Sequence, residues 1–318
     1  MAQNKTYDVL VAGELNVDLI VNQLQGYPEV GKEILAERMT LTLGSSAAIF
    51  ACNLSILGAK VAFAGKVGQD SFAGRILADL AEKGVDTSHI LSTSTANTGI
   101  SIALNYREDR AMITYPGAME ELVITDITDE ALLQANHLHV SSLFLQKGLK
   151  PDIVALYKRA REAGMTTSLD PQWDPAQSWE IDLPVLLPYV DVFLPNMEEF
   201  KRITHQPDLR SGIEMVKEHA GIIVVKDGNK GAYAWKEGRL LHQPPFLNKQ
   251  VVDCIGAGDS FDAGFIKKYT AGRSLEECLE FAALTGALNT TAAGGTTAFS
   301  DYGTIRSVAQ ETFSYAIR

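Results

Sequence analysis

Apolar residues fall along the chain in short runs separated by stretches of helical spacing. The runs "DVLVAG" (8–13), "KVAFAGKVG" (60–68), "HLHVSS" (137–142), "TTSLD" (166–170), "VDVFLPN" (190–196) and "GIIVVKDG" (221–228) each stop at Gly, Asp, Asn or Ser. Short runs of this kind predict buried strands. Between them, "SAAIFACNLSILG" (46–58), "SFAGRILADLAEKG" (71–84), "KPDIVALYKRAREAG" (150–164) and "LRSGIEMVKEHAG" (209–221) carry the helical period and end at a Gly stop. Strands alternating with helices predict βαβ units and a mostly parallel sheet, with ligands beyond the carboxyl ends of the strands.

Two stretches break the rhythm. Residues 16–43 and 98–119 alternate apolar and polar positions, which predicts antiparallel strands with one solvated face. They are placed together as a small sheet, a lid projecting from the main body. No fixed-period repeat and no low-complexity linker appears, so the expectation is one α/β domain over 1–318 carrying a β-sheet lid.

Composition narrows the chemistry. The 318 residues are 46% hydrophobic and 21% charged, an ordinary globular mixture, with a formal net charge of −11. That balance argues against nucleic acid or an anionic membrane as partner, and leaves room for a local anion site. Cys52, Cys254 and Cys278 have no CxxC spacing. They form neither a disulfide framework nor a zinc site and fit a reducing cytoplasm. The opening segment reads as no signal peptide, and no window reaches the ~18 apolar residues of a membrane span.

The stretch "DCIGAGDSFDAGF" (253–265) holds the sharpest chemistry. It lies between a strand-like "NKQVVD" (248–253) and the helical "GDSFDAGFIKKYTAG" (258–272). A glycine turn entering a helix leaves unpaired N–H groups, and with the helix dipole these form an anion site. Gly256 and Gly258 allow close backbone approach. A carboxylate there disfavours an anion unless it accepts a proton from an attacking hydroxyl, so Asp259 reads as the general base of phosphoryl transfer. On this segment alone Asp259 also reads as a plain helix cap. The stretch is neither a Walker A loop nor a protein-kinase glycine loop.

"DCIGAGDSFDAGF", together with "GSSAAIFACNLSILGAKVAFAGKVGQDSFAGRIL" (44–77), resembles the two signatures of the ribokinase-like carbohydrate kinases, the PfkB family. The resemblance covers almost the whole chain. It implies a central sheet flanked by helices, a β-sheet lid, ATP with Mg²⁺, and phosphorylation of a sugar hydroxyl. It makes Asp259 the base and the amides of Gly256, Ala257 and Gly258 the anion hole. It assigns Asn16 and Asp18 in "GELNVDLIV" to sugar hydroxyls, and Gly44 and Ser45 to close backbone approach, with Ser45 replacing a second Gly. Ile49 stands where the family usually has Asn. Asn196 and Glu199 in "PNMEEF" match its N-x-x-E, Glu199 holding Mg²⁺ through water. Lys226, Gly228 and Gly231 fall in the nucleotide loop, Lys226 either reaching phosphate or lying solvated on a turn. Ala283 falls on the adenine wall. Asp253 matches a monovalent-cation (K⁺) site, although Phe299 occupies a ligand position further on. The family often dimerises through the lid.

Other features have plainer readings. His137 and His139 alternate along a strand and read as packing. Cys254 reads as a small polarisable filler. "SLDPQWDPAQSW" (168–179) has Gln172 and Asp174 where relatives often have Asn and Arg, which weakens the case for an acidic sugar. Arg107 and Arg110 read as a solvated hairpin tip, with a phosphate clamp as the alternative. The reading is thus a neutral-sugar kinase, against a nucleoside kinase or a non-catalytic sugar or nucleotide sensor.

Overall fold

Apolar runs without alternation need cover on both faces, and the main sheet has it. A computed structural model describes residues 5–24, 26–106 and 109–317. The strands are β1 (Tyr7–Ala12), β2 (Asn16–Leu24), β3 (Ala36–Leu43), β4 (Val61–Val67), β5 (Asp86–Ser92), β6 (Gly99–Tyr106), β7 (Asp109–Tyr115), β8 (Ala135–Ser141), β9 (Thr166–Asp170), β10 (Val192–Phe193), β11 (Ile222–Lys226), β12 (Ala232–Lys236) and β13 (Arg239–Gln243). The helices are α1 (Ser46–Ile56), α2 (Ser71–Glu82), α3 (Asp129–Leu133), α4 (Ile153–Glu162), α5 (Leu183–Leu186), α6 (Met197–Thr204), α7 (Leu209–Val216), α8 (Ala257–Thr270), α9 (Leu275–Asn289) and α10 (Tyr302–Phe313).

Nine strands form the main sheet in the order β13-β12-β11-β10-β9-β8-β1-β4-β5. From β11 to β5 every pairing is parallel. Successive side chains of a strand point to opposite faces. In β1, Val9 and Val11 enter one core with Phe50 of α1 and Phe265 of α8. Leu10 and Ala12 enter a second core with Leu156 of α4 and Phe200 of α6. The chain runs from β1 outward through β4 and β5 on one side and returns through β8 on the other. The strand order therefore reverses between β1 and β8, where a crevice opens beyond the carboxyl ends.

The lid is a separate four-stranded sheet, β3-β2-β6-β7. Its register sorts the side chains by face. Thr42, Asp18, Ser101 and Thr114 make one polar row across all four strands, while Leu41, Leu19, Ile102 and Ile113 make an apolar row on the other face. The polar row faces the crevice. The base of the apolar face, Leu43 and Val17, packs into the main core, whereas Met39 and Ile113 further out are 68% and 61% exposed.

Several elements differ from the sequence reading. The central lid pairing, β2 with β6, is parallel, because each stretch forms its own antiparallel pair and the two join at their first strands. Residues 116–119 leave the lid and enter a 3₁₀ turn at Gly117–Glu121. "NKQVVD" is no strand: Val251 and Val252 are exposed, and Val252 N–H bonds to Thr290 O instead of a sheet edge. The run 190–196 supplies only two strand residues, and β5, β12 and β13 add an unforeseen edge on each side. No helix among the described residues is long and apolar enough to cross a membrane.

Asp70 joins lid to body. Its Oδ1 accepts from Ala73 N–H at 3.0 Å, capping α2, and its Oδ2 accepts from Thr98 N–H at 2.7 Å, just before β6. Losing an N-cap typically costs ~1–2 kcal/mol. Asp70→Ala is expected to lower unfolding free energy by that amount in urea with an unchanged m-value; a change below ~0.3 kcal/mol contradicts the tether.

Candidate active site

Between the lid and the strand ends lies a cavity of about 1490 Å³. The lid supplies Asn16, Asp18, Ser101 and Thr114; the body supplies Glu14, Ser45, Gln172, Asn196, Glu199, Lys226 and the 254–259 segment. Its far end is lined by Phe246, Val251, Ala283 and Ala287. The volume exceeds the range usual for one small ligand, ~300–1,000 Å³.

Local backbone demands explain the glycine turn. Gly256 has φ +76°, and a Cβ there would stand 2.6 Å from Gly295 Cα. Only glycine fits, and it starts α8 as its N-terminal cap. The first N–H groups of a helix lack intrahelical partners. That of Ala257 turns back to Cys254 O at 3.3 Å. Asp259, in the first turn, is buried, and its Oδ1 accepts from Gln172 Nε2 at 3.0 Å. Burial pushes its carboxyl well above the usual carboxylate range; the negative charge of Asp170 adds to this and Lys226 opposes it.

Lys226, at the end of β11, is no solvated turn residue. Its Nζ donates to Asp170 Oδ2 and Asp262 Oδ2, both at 2.9 Å, with 12% of the side chain exposed. Gly258 lies close: a Cβ there would be 3.8 Å from the ammonium. Burial alone lowers a lysine, but Asp170, Asp262 and Glu199 together raise this one well above its ordinary value. Gln172 Nε2 also donates to Asp170 Oδ2 at 2.7 Å, joining the cluster to Asp259.

Asn196 and Glu199 form a reciprocal cap on α6: Glu199 N–H donates to Asn196 Oδ1 at 2.9 Å, and Asn196 N–H to Glu199 Oε2 at 2.8 Å. Glu199 is nonetheless on the cavity wall and buried, and burial followed by Asp170 pushes its carboxyl up to about 7. A carboxyl so placed fits a hydrated divalent cation nearby. Among the described residues no three His, Cys, Asp or Glu side chains cluster as a metal cage, so a cation here would keep most of its waters.

Asn16, Asp18, Gly44 and Ser45 lie near one another at the base of the lid. Asn16 Nδ2 donates to Asp18 Oδ1 at 2.9 Å. A Cβ on Gly44 would stand 2.3 Å from that same oxygen. Ser45 holds φ +68°; its hydroxyl donates to Glu14 O at 2.6 Å and accepts from Ala48 N–H at 2.9 Å, capping α1. Gly228 opens the β11–β12 turn, and a Cβ on Gly231 would stand 2.1 Å from Gln243 O. Ile49 packs on the loops of Gly256 and Gly295.

Asp253 is a hydrogen-bond acceptor for two loops. Its oxygens accept from Ile255 N–H and Gly294 N–H, each at 3.0 Å, and Ile255 O takes the Asn289 amide. Phe299 is fully buried in the core. Asp253 ties two loops together. Arg107 lies outside the described residues.

Sequence reasoning missed Glu14, Asp170 and Asp262, and passed over Gln172. Each had a signal: Glu14 and Asp170 end parallel strands, and Asp262 is one helical turn beyond Asp259 on the same face. The histidines pack, as read, within a buried chain: Thr166 Oγ1, His137, Ser168 Oγ, His139 and Ser141 Oγ are linked at 2.7–2.8 Å. Burial holds both imidazoles neutral, lowering His137 to about 3.

A mostly parallel sheet, a separate β-sheet lid and an acid set behind a glycine turn define a ribokinase-type α/β fold. The overall structure superposes on Arabidopsis thaliana ribokinase complexed with ribose and ATP with a TM-score of 0.84, at 23% identity, covering 96% of this chain and 100% of that one. The sequence profile of the pfkB family carbohydrate kinases matches residues 7–301, and the chain belongs to that family. It is 31% identical over 226 residues to an uncharacterized sugar kinase of Archaeoglobus fulgidus, covering 71% of this chain and 89% of that one. It is 27% identical over 299 residues to 5-dehydro-2-deoxygluconokinase of Geobacillus thermodenitrificans, covering 88% and 86%. As a member it is an ATP-dependent carbohydrate kinase.

Removing one partner of a buried ion cluster typically costs ~3–5 kcal/mol. Lys226→Met is expected to lose stability on that scale at neutral pH. The loss should shrink in acid, because Asp262, already raised by burial, can then protonate. Denaturation at two pH values checks this; a loss below ~1 kcal/mol at neutral pH contradicts it.

Proposed function

We propose that the chain transfers the γ-phosphoryl group of ATP to a hydroxyl of a neutral monosaccharide, with Asp259 as general base and the amides of Gly256, Ala257 and Gly258 as anion hole. The observation carrying this is the placement of Asp259: buried, on the cavity wall, in the first turn after a glycine that no other residue can replace. The carboxylate accepts the hydroxyl proton as the sugar oxygen bonds to phosphorus and the bond to the β-phosphate oxygen breaks, releasing ADP. Burial brings its basicity nearer working pH, and Gln172 orients it. The N–H groups of Gly256 and Gly258, joined by that of Ala257 once it leaves Cys254 O, then meet the charge that develops on the phosphoryl oxygens. Lys226 steadies that end of the loop. Mg²⁺, held by Glu199 through water with Asn196 beside it, would supply charge neutralisation. The apolar end around Phe246, Val251 and Ala283 suits adenine.

The neutral substrate follows from charge. Glu14, Asp18, Glu199 and Asp259 line the cavity, while Lys226, the only basic residue lining it among the described residues, already serves two carboxylates. The polar row around Asp18 offers acceptors and hydroxyls to a polyol. The second reading, a sugar acid, draws on the name of the Geobacillus relative. The sensor reading has less support, since Asp259 and the glycine turn both line the cavity. The exposed free thiol of Cys254, beside the loop, suits a reducing cytoplasm.

Asp259→Asn should fold and bind ATP yet lose ~10²–10⁴-fold in kcat; near-normal turnover overturns the assignment. ADP release against ribose, fructose, 2-dehydro-3-deoxygluconate, a sugar phosphate and adenosine tests the substrate class, with Asp18→Ala alongside. An acid, a phosphate or adenosine as best substrate overturns the neutral-sugar reading. We further propose a homodimer through the uncovered apolar face of the lid around Met39 and Ile113. Sedimentation should give twice the chain mass of 34.5 kDa at micromolar concentration, and a monomer rejects it.

A further inference from the structure

We infer that Glu14 contacts the substrate directly: its Oε2 accepts a hydrogen bond from a second sugar hydroxyl, next to the one held by the Asp18 row. This rests on the sugar-kinase reading above.

Glu14 follows β1 and Ser142 follows β8, so the two stand on either side of the point where the strand order reverses. They meet there: Ser142 Oγ donates to Glu14 Oε1 at 2.9 Å, and Ala47 N–H at the start of α1 donates to the same oxygen at 3.3 Å. One oxygen thus completes the local structural task. The other, Oε2, is buried and has no hydrogen-bond partner among the described residues. A buried acceptor without a donor is costly and rare. A glutamine would satisfy Ala47 and Ser142 equally well, so the structural contacts give no reason for a second carboxylate oxygen.

The surroundings give one. Glu14 is 1% exposed yet forms part of the cavity wall, with Asn16, Asp18, Ser45 and Ser142. Its charge reaches Asp259, raising that carboxyl further. Burial pushes Glu14 itself up to about 7, outweighing the donors Ser142 and Ala47 that pull it down. Near neutral pH the carboxyl is part ionised, and the ionised form only accepts. On a sugar the donor it meets is a hydroxyl, and a phosphate or carboxylate at that place is repelled. The substrate presents at least three hydroxyls to this wall: one to Asp18, one to Glu14 and one to Asp259 for phosphorylation. Such a substrate is a polyol or sugar with adjacent hydroxyls.

The test compares wild type and Glu14→Gln on the best of D-ribose, D-fructose, D-glucose and adenosine, then on the monodeoxy analogues of that compound. The variant keeps the Oε1 contacts, so its melting temperature and KM for ATP should stay unchanged. Its kcat/KM for the sugar should fall about 10- to 100-fold, the loss expected for a hydrogen bond to a charged group. On the one analogue lacking the partner hydroxyl, wild type and variant should differ less than about threefold, because that contact is already gone. If the variant's penalty is the same on every analogue, Glu14 is structural and the inference is overturned. A wild type releasing no ADP with any of the four overturns the neutral-sugar reading separately. Calorimetric titration with the same four compounds, without nucleotide, then decides Glu14: about tenfold weaker binding by Glu14→Gln supports the contact, and equal affinity or no binding overturns it.

Discussion

One ammonium group holds the catalytic end of this molecule together. Lys226 Nζ stands 2.9 Å from both Asp170 and Asp262, linking the ends of β9 and β11 to the first turns of α8. Four carboxyl groups, Asp170, Glu199, Asp259 and Asp262, crowd that volume with little water. Like charges in a low dielectric repel strongly and favour protonation. With its positive charge among them, the cluster can keep ionised groups beside a site that handles polyphosphate. The lysine thus acts on the charge of the cavity wall through the carboxylates it pairs with. Its own reach to a phosphate is a separate matter, because two of its three donors are already committed to carboxylates.

The fold was largely legible in the sequence, and the reason is local. Both faces of the parallel sheet are covered, so its strands read as unbroken apolar runs, and the helices between them carry a clear period and Gly stops. What escaped was decided by neighbours. "NKQVVD" has strand-forming valines, yet no sheet edge lies beside it. β5 and β13 are half-exposed edge strands and β12 lies beside one of them, all with a weaker apolar signal. The site divided along similar lines. Asp259, Asn16, Asp18, Ser45 and Glu199 sit inside motifs, and the structure brings them to one cavity. Glu14, Asp170 and Gln172 are single polar residues at strand ends. Only the strand order reveals that they converge.

The lid shows how one small sheet serves two surroundings. Period-two alternation sends every second residue to each face, and the register aligns those residues across all four strands. Asp18 therefore shares a row with Ser101 and Thr114, from strands some eighty residues and more away. The same alignment builds a continuous apolar strip on the reverse, anchored in the core at Val17 and Leu43 and bare toward Met39. Recognition chemistry on one side and unsatisfied apolar area on the other are consequences of a single pattern.

The buried histidine chain bears on how the sheet finds its alignment. Parallel strands made of valine and leucine carry little to distinguish one register from the next, since a slip by two exchanges one apolar residue for another. In β8 and β9 the imidazoles of His137 and His139 each bridge hydroxyls, and Ser168 bonds to both rings. A two-residue slip would exchange these partners: one way His137 would lose Thr166 for Gly164, the other way His139 would stand opposite Asp170. The chain therefore penalises misaligned pairings more than it rewards the native one. At the centre of a nine-stranded sheet, that discrimination sets the carboxyl ends of β8 and β9 level, and with them Ser142 and Asp170.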